Sequence, residues 1–368
     1  MIKIKFENLL VSIVVSVVVF FNTISTTMLD RTFFQVKVNF LFLVVLLLGL
    51  RFLYKMRVSY KYLILSILLL LSGVLVYFQT NRLNFLVYSM LLVLLVNVDM
   101  KVVLRNYVVV AGILVVGVFL LSLVGIVPNL QYNRAGVIRN SFGFIYPTDF
   151  ASHCFYLFLA ISYLLKDKFI WTRSLFGVLL SAFIIKYCDA RLNALSILLA
   201  TVIFIYFYYS KEKKLKIFAL FPYSAVIFAS IVTYLSYKFS WSNPFLVTVN
   251  KLITGRLALG RNAFDTFGVH LFGTRNVQFI GSGGKTESVI GYNYVDSSYV
   301  QMLFTYGIVP VVLLIIIYVV ASKKQYKDGQ YLLVAILSLI AFNCMIEAFW
   351  FVPTYNIFMF LLFTTNTF

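Results

Sequence analysis

Long apolar runs recur along this chain from one end to the other. Stretches of about 17 to 22 apolar residues have the length that an α-helix needs to cross the hydrocarbon core of a bilayer. Apolar residues make up 62% of the 368 residues and charged residues only 12%, a composition typical of proteins that span a membrane many times. The sequence therefore predicts an all-α, polytopic integral membrane protein.

The apolar runs predict about twelve transmembrane helices in a single membrane domain, residues 1–368. The helices are predicted to begin near residues 8, 38, 62, 84, 106, 149, 169, 191, 217, 297, 330 and 353. One connection, residues 238–296, is much longer than the others and precedes the tenth predicted helix. The apolar start of the chain has no small-residue cleavage pattern and is predicted to be a retained first helix.

The positions of lysine and arginine predict the orientation, because basic residues in short loops stay on the cytoplasmic side of a membrane. Most of the 31 basic residues fall in alternate connections. These connections contain Lys3 and Lys5, Arg51 to Lys61, Lys101 and Arg105, Lys166 to Arg173, Lys211 to Lys216, and Lys323 to Lys327. Both termini are therefore predicted to be cytoplasmic, and the long loop to be extracytoplasmic.

The net charge of +19 does not indicate a nucleic-acid partner. Most of the positive charge is spread over short turns, so anionic headgroups of membrane lipids are the expected partner. A metal site is not expected either, because the three cysteines are far apart, the two histidines stand on separate segments, and the outward connections contain no Asp-x-Asp. The sequence predicts no cofactor.

Outward-facing charges are the candidates for chemistry, because ionisable groups at a membrane usually line an internal or water-filled cavity. Arg139 and Asp149 flank a glycine-containing turn and Pro147, at the predicted start of a helix. Two interpretations are open. Arg139 and backbone N–H groups bind an anion, or Arg139 reaches the membrane surface and Asp149 caps the helix. His153, one turn further, is interpreted as a helix-packing residue.

A second candidate stands in the very short connection Asp189-Ala-Arg191 between two predicted helices. Arg191 either pairs with Asp189, as exposed neighbours of opposite charge commonly do, or points into the same outer cavity as Arg139. The local pair is the default interpretation.

The long loop adds Arg256, Arg261, His270 and Asp296. Residues 253–267 have the pattern of an amphipathic helix that lies on the membrane surface. Arg256 and Arg261 are five positions apart, so they diverge on such a helix and need not bind one phosphate together. Membrane anchoring and ligand binding both stay open for this helix. Asp296 precedes the next predicted helix, where it either caps that helix or belongs to a site.

Several short motifs follow one another in a specific order. They are Arg139-Asn-Ser-Phe-Gly-Phe with Pro147 after it, Asp189-Ala-Arg191, Thr254-Gly-Arg256-Leu, Leu271-Phe-Gly273, and Val295-Asp296-Ser-Ser-Tyr299 followed by Tyr306-Gly307-Ile308. This order closely resembles Wzy-type polysaccharide polymerases of bacterial capsule and exopolysaccharide loci, over about residues 130 to 320. The family often has His-Pro-Asn where this chain has Tyr146-Pro147-Thr148. Tyrosine does not titrate near neutral pH, so no base is assigned to position 146.

The resemblance implies an inverting, metal-independent glycosyltransferase in the bacterial plasma membrane. Such an enzyme moves a growing glycan from its undecaprenyl diphosphate carrier onto a new lipid-linked repeat unit at the outer face, beside flippase and chain-length regulator proteins. Fixed guanidinium groups would then stabilise the charge of the leaving diphosphate, a role for Arg139, Arg191 and Arg256.

An attacking sugar hydroxyl also needs a proton acceptor, and the resemblance places Asp296 in that role with His270 as the second candidate. Tyr299, one helical turn from Asp296, would contact a sugar ring. Arg261 and Asp149 complete the predicted substrate-binding residues.

Two other functions stay open. A ligase of the same superfamily would transfer a finished glycan to a different acceptor with a similar outer loop. A lipid-linked oligosaccharide transporter should carry charged or broken helices near the middle of the bilayer, often in a repeated arrangement. In this sequence the unusual charges cluster on the predicted outer side of the membrane and no repeat is evident, which favours the enzyme.

Overall fold

The computed structural model describes residues 6–29, 41–42, 44–47, 49, 59–134, 136–211, 216–287 and 289–365. Most of these residues are helical. The helices are α1 (Phe6–Ile24), α2 (Tyr60–Thr80), α3 (Asn84–Leu94), α4 (Met100–Leu123), α5 (Pro147–Leu164), α6 (Ile170–Cys188), α7 (Arg191–Ser210), α8 (Ser224–Lys238), α9 (Pro244–Leu252), α10 (Arg256–Phe267), α11 (Ser298–Thr305), α12 (Ile308–Lys327), α13 (Tyr331–Asn343) and α14 (Ile357–Phe360). Short 3₁₀ helices at Lys216–Ala219 and Phe221–Tyr223 lead into α8.

Seven helical segments in the described part of the chain are long and apolar enough to cross a membrane. They are Glu7–Ile24, Tyr60–Thr80, Met100–Leu123, Ile170–Cys188, Arg191–Ser210, Lys216–Lys238 and Ile308–Lys327. Their outward faces carry large apolar side chains, such as Ile113 at 69% exposure and Leu175 at 61%. Apolar surface of this kind suits a lipid environment. The chain therefore has the architecture of a helical membrane protein.

The other predicted spans look different in the structure. The predicted helices near residues 84 and 330 are α3 and α13, of 11 and 13 residues. The region after residue 353 contains turns and the four-residue α14. Most of the span predicted to start near residue 38 lies outside the described residues, as do both termini. The count of about twelve spans and the orientation stay predictions.

The span predicted from residue 297 is divided into α11 and α12. Gly307, between the two helices, has φ 93° and ψ 174°, a backbone conformation that only glycine adopts readily. The break lets the chain bond to an earlier loop: Ile308 N–H donates to the His270 carbonyl at 3.0 Å, and Thr274 N–H donates to the Phe304 carbonyl at 2.8 Å. Two of the motifs that carry the family resemblance, 271–273 and 306–308, are thus adjacent in space.

Helix α5 is the most enclosed of the central helices. Nearly all of its 18 residues are buried, because α4, α6 and α7 pack around it. Pro147 occupies its first turn, where the missing N–H is not needed. The α5 start, the α6 end and the α7 start lie at the same end of the molecule, next to a two-stranded antiparallel hairpin formed by β1 (Gln131–Arg134) and β2 (Val137–Asn140).

The long loop is largely structured. It contains α9 and α10, and α10 coincides with most of the predicted amphipathic helix 253–267. Its apolar side packs against protein: a Cβ at Gly260 would lie 2.7 Å from the Ser236 hydroxyl of α8, and Phe264 contacts Phe304 of α11 with ring centroids 5.0 Å apart. The sequence predicted that this apolar side of α10 contacts the membrane surface. In the structure it packs against α8 and α11 instead.

A candidate anion-binding site beside two cavities

A polar cavity of about 520 Å³ opens between the hairpin, the α5 start and the segments around residues 292–296 and 347–355. Its charged lining consists of Arg134, Arg139, Asp149, Arg256, Asp296 and Glu347. A smaller, more apolar side cavity of about 300 Å³ lies next to it and shares the charged residues Arg134, Arg139, Arg256 and Glu347. Its apolar lining consists of Ala190, Leu192, Leu195, Leu252, Ile253, Phe342 and Ile346.

Arg139 stands at the junction of the two cavities. The hairpin register pairs it with Tyr132, and its Nε donates to the Cys188 carbonyl at the end of α6, at 2.9 Å. Its terminal Nη2 is buried and has no hydrogen-bond partner. Burial, followed by the nearby charge of Arg134, lowers the Arg139 pKa to about 10, so the group stays cationic at neutral pH. An unpartnered guanidinium nitrogen at a cavity is suited to bind an anion.

Arg256 faces Arg139 from the first residue of α10, directly after Gly255, whose φ of 88° turns the chain into the helix. Its Nε donates to the Ile346 carbonyl at 3.1 Å and lies 3.3 Å from Asp296 Oδ2. The N-cap of α11 is Ser297, so Asp296 is not the helix cap that the sequence left open. Desolvation raises the Asp296 pKa, against the attraction of Arg256 and Arg139.

Asp149 also lines the polar cavity, from the first turn of α5. It is 8% exposed and accepts a hydrogen bond from the Tyr355 hydroxyl at 3.2 Å. His153, one turn further, is fully buried. Its ring packs against Tyr355 with centroids 4.3 Å apart, and its Nε2 lies 3.0 Å from the Thr26 hydroxyl oxygen. This agrees with the helix-packing role expected for His153.

Aromatic side chains cover much of the remaining wall. They are Tyr132, Tyr146, Tyr292, Tyr294, Phe349 and Tyr355. Tyr146, at the position where this chain departs from the resembling family, accepts a hydrogen bond from the Gly283 N–H at 2.6 Å. It thereby joins the glycine-rich turn of the long loop to the start of α5. The wall combines ring faces with hydroxyl groups, a lining compatible with a polar ligand of some size.

Glu347 is a cavity residue that the sequence analysis did not select. It is 5% exposed, follows α13, and accepts a hydrogen bond from the Asn193 amide at 3.3 Å. Burial raises its pKa to about 8, and Asp296 and Asp149 add to the effect of burial, against Arg256 and Arg139. The available signal was an acidic residue after an apolar run, in a chain with only 12 acidic residues.

Four of the predicted site residues lie away from the polar cavity. Arg191 forms the expected pair with Asp189 Oδ1 at 2.8 Å, is 70% exposed and reaches only the side cavity. Arg261 forms an ion pair with Asp265, one turn further along α10, at 2.8 Å. His270 is exposed in the loop before α11.

Tyr299 is the fourth of these residues. It is 1% exposed, so it belongs to the protein core. Its hydroxyl donates to the Ala341 carbonyl at 3.0 Å, and its ring packs against Trp350 with centroids 5.1 Å apart. Tyr299 therefore does not line the polar cavity.

No protein-family model, no curated protein and no solved structure matches this chain. Within the part of the chain that the structure describes, no three His, Cys, Asp or Glu side chains are grouped so that they could hold a metal ion. Three guanidinium groups line both cavities, those of Arg134, Arg139 and Arg256, and Arg134 is paired with Asp189. This leaves Arg139 and Arg256 for an anion, together with three carboxyl groups for proton transfer and an apolar side wall.

Proposed function

We propose that this protein is a membrane glycosyltransferase that joins undecaprenyl-diphosphate-linked oligosaccharide repeat units into a capsular or exopolysaccharide chain, in the manner of Wzy-type polymerases. The observation that carries the proposal is that Arg139 and Arg256 both line a polar and an apolar cavity, and that a buried Arg139 nitrogen has no hydrogen-bond partner. A lipid-linked diphosphate joins an anion to an apolar chain and a glycan, which is the chemistry that this junction accommodates.

In the proposed reaction Arg139 and Arg256 hold the diphosphate of the donor and stabilise the negative charge that grows as it leaves. The acceptor repeat unit lies in the polar cavity against the tyrosine wall. A carboxyl group of this cavity takes the proton of the attacking hydroxyl. Asp296, 3.3 Å from Arg256 Nε, also fixes the position of that guanidinium group.

The same proposal places the protein in a bacterial plasma membrane with the polar cavity on the outer face. Its substrates arrive there from a flippase, and a chain-length regulator acts on the product. Membrane lipids surround the apolar helices, and the reaction requires no cofactor.

The length profile of lipid-linked glycan tests the function. It is measured in cells that express the wild type, no protein, or Arg256→Ala at matched protein level. Polymerisation predicts that the deletion and the variant both accumulate single repeat units on the lipid carrier at the outer face. Long chains that stay on the carrier without transfer would instead indicate a ligase. Single units confined to the cytoplasmic face would indicate a transporter.

A further inference from the structure

Glu347 is the acidic residue that the two cavities share. Its main chain is fixed next to Asp296, because the Ser298 N–H donates to the Glu347 carbonyl at 3.2 Å and the Ser298 hydroxyl donates to the same oxygen at 2.5 Å. Its carboxyl group is therefore held beside the start of α11, between the side cavity and the polar cavity.

A buried network of hydrogen bonds between asparagine and serine side chains holds this carboxyl group. The Asn193 amide nitrogen donates to Glu347 Oε1 at 3.3 Å and to the Ser152 hydroxyl at 3.2 Å. The Asn343 amide nitrogen donates to Asn193 Oδ1 at 3.3 Å and to the Ser196 hydroxyl at 3.0 Å. These four supporting residues are fully buried. A polar network of this kind among apolar helices fixes the orientation of the group at its end.

Asp296 and Glu347 differ in their partners. Asp296 lies within ion-pair distance of Arg256, and a cationic neighbour weakens a carboxylate as a base. The charge of Arg256 also acts on Glu347, but within the described residues Glu347 takes part in no ion pair. Its hydrogen-bond partner is the neutral Asn193. Glu347 is therefore the better proton acceptor of the two, and Asp296 the better partner for the guanidinium group.

We propose that Glu347 is the catalytic residue that accepts the proton of the attacking sugar hydroxyl, while Asp296 positions Arg256. This inference rests on the proposed function. The acceptor O–H bond breaks and its proton moves to the Glu347 carboxylate. The oxygen forms a bond to the anomeric carbon of the donor. The bond from that carbon to the diphosphate oxygen breaks, and its electron pair leaves with the diphosphate beside Arg139 and Arg256.

The proposal predicts a specific pH dependence. The charged groups that face Glu347 are Arg256 of α10, Asp296 before α11, Asp149 of α5 and Arg139 of β2. Two further titratable groups that interact with it are Tyr156 of α5 and Cys344 after α13. Burial raises the Glu347 pKa to about 8, and only the deprotonated form accepts a proton. The turnover rate should therefore rise with pH, about tenfold per pH unit well below this pKa, and level off above it.

The test uses the purified full-length protein in liposomes. Its substrate is the lipid-linked repeat unit extracted from cells that lack the gene. Polymer formation is measured from pH 6 to pH 9, with kcat and KM determined separately. Glu347→Gln keeps the shape and the acceptor for Asn193, so it should lower kcat by about 10²- to 10⁴-fold, leave KM within about threefold, and remove the pH slope. Glu347→Asp should regain part of kcat together with the slope.

Two further variants separate positioning from proton transfer. Asp296→Asn should lower the rate and raise KM but keep the pH slope, because the base is still present. Asn193→Ala removes a donor to the charged carboxylate, so the slope should persist with its midpoint at higher pH. Each variant is compared only if it elutes as a single species in size-exclusion chromatography, and Asn193→Ala provides the test if Glu347→Gln does not fold.

The possible failures are distinguishable. A wild-type protein that makes no polymer from this substrate overturns the proposed function and this inference with it. An active wild type whose Glu347→Gln variant keeps the wild-type kcat and pH slope overturns the inference alone. The same holds if Asp296→Asn, rather than Glu347→Gln, removes the pH slope.

Discussion

Arg139 and Arg191 lie close to the same turn but differ in what they contact. Arg139 has a buried nitrogen without a partner at the cavity junction, whereas the Arg191 side chain is 70% exposed and paired with Asp189. Exposed ion pairs contribute little to protein stability. A fixed hydrogen-bond donor beside the charge that develops in a transition state raises the rate by about 10²- to 10³-fold. We therefore expect Arg139→Ala to lower kcat/KM for polymerisation by that factor, and Arg191→Ala by less than about threefold.

Polymerisation rates of the two variants at equal protein level check this prediction. Arg139→Lys is the matched control, because it keeps the charge but loses the planar pair of donors and should recover only part of the activity. Equal losses for Arg139→Ala and Arg191→Ala would contradict the assignment and return Arg191 to the role that the sequence first suggested.

The sequence predicted those site residues whose charge is unusual in an apolar chain. Arg139, Arg256 and Asp296 stood out as outward charges in an apolar chain, and the structure brings them to one cavity. Glu347 was missed because no motif surrounds it. Its supporting partner Asn193 is 154 positions away, a distance at which one sequence gives no information on contact.

Gly307 separates α11 from α12, and its backbone conformation leads to a prediction on stability. A Cβ atom there would collide with backbone atoms of Gly273 and Leu271, and its φ of 93° disfavours other residues. Backbone strain of this kind costs about 1 to 3 kcal/mol before any collision is counted. Gly307→Ala should therefore lower the melting temperature in detergent by several degrees, as followed by fluorescence-detected size-exclusion chromatography after heating.

Gly117, inside α4, provides the matched control. Its added Cβ would meet no atom within 4 Å, and alanine is the better helix former by up to about 1 kcal/mol. Gly117→Ala should leave the melting temperature unchanged or raise it slightly. A Gly307→Ala protein as stable as Gly117→Ala would mean that the 271–273 and 306–308 segments are not packed as described.

Apolar runs in the sequence predicted where the long helices lie, but not which helices are enclosed by other helices. Six of the seven long helices begin within about six residues of predicted spans, because length and composition determine both, and the seventh, α12, is the second part of the span predicted from residue 297. Helix α5 was also predicted to be a span, yet it is not among these seven helices, and it is enclosed by α4, α6 and α7. Periodicity cannot separate lipid contact from protein contact, since both select apolar side chains. The division of α11 from α12 depended on one glycine whose conformation becomes visible only in three dimensions.

At the scale of the whole molecule, the alternating helices separate the charges into two groups. One group borders the side cavity. This cavity is lined by Thr148 at the start of α5, Asp189 after the end of α6 and Arg191 at the start of α7. The opposite ends of these helices carry Lys166, Asp167 and Lys211 around another pocket. Among the described residues, the basic turn after α5 and Lys211 after α7 belong to this second end. The positive-inside tendency therefore predicts that the second end is cytoplasmic and that the cavities face outward.

Labelling of single cysteines tests this orientation. Lys285→Cys lies in an exposed part of the long loop and Lys168→Cys in an exposed turn at the other end, while the native cysteines are buried or partly buried and should react slowly. In intact spheroplasts a membrane-impermeant maleimide should label Lys285→Cys at once and Lys168→Cys only after permeabilisation. The opposite pattern would place Arg139 and Arg256 on the cytoplasmic side. Polymerisation at the outer face would then be excluded, because the acceptor and the leaving diphosphate could not reach them from that side.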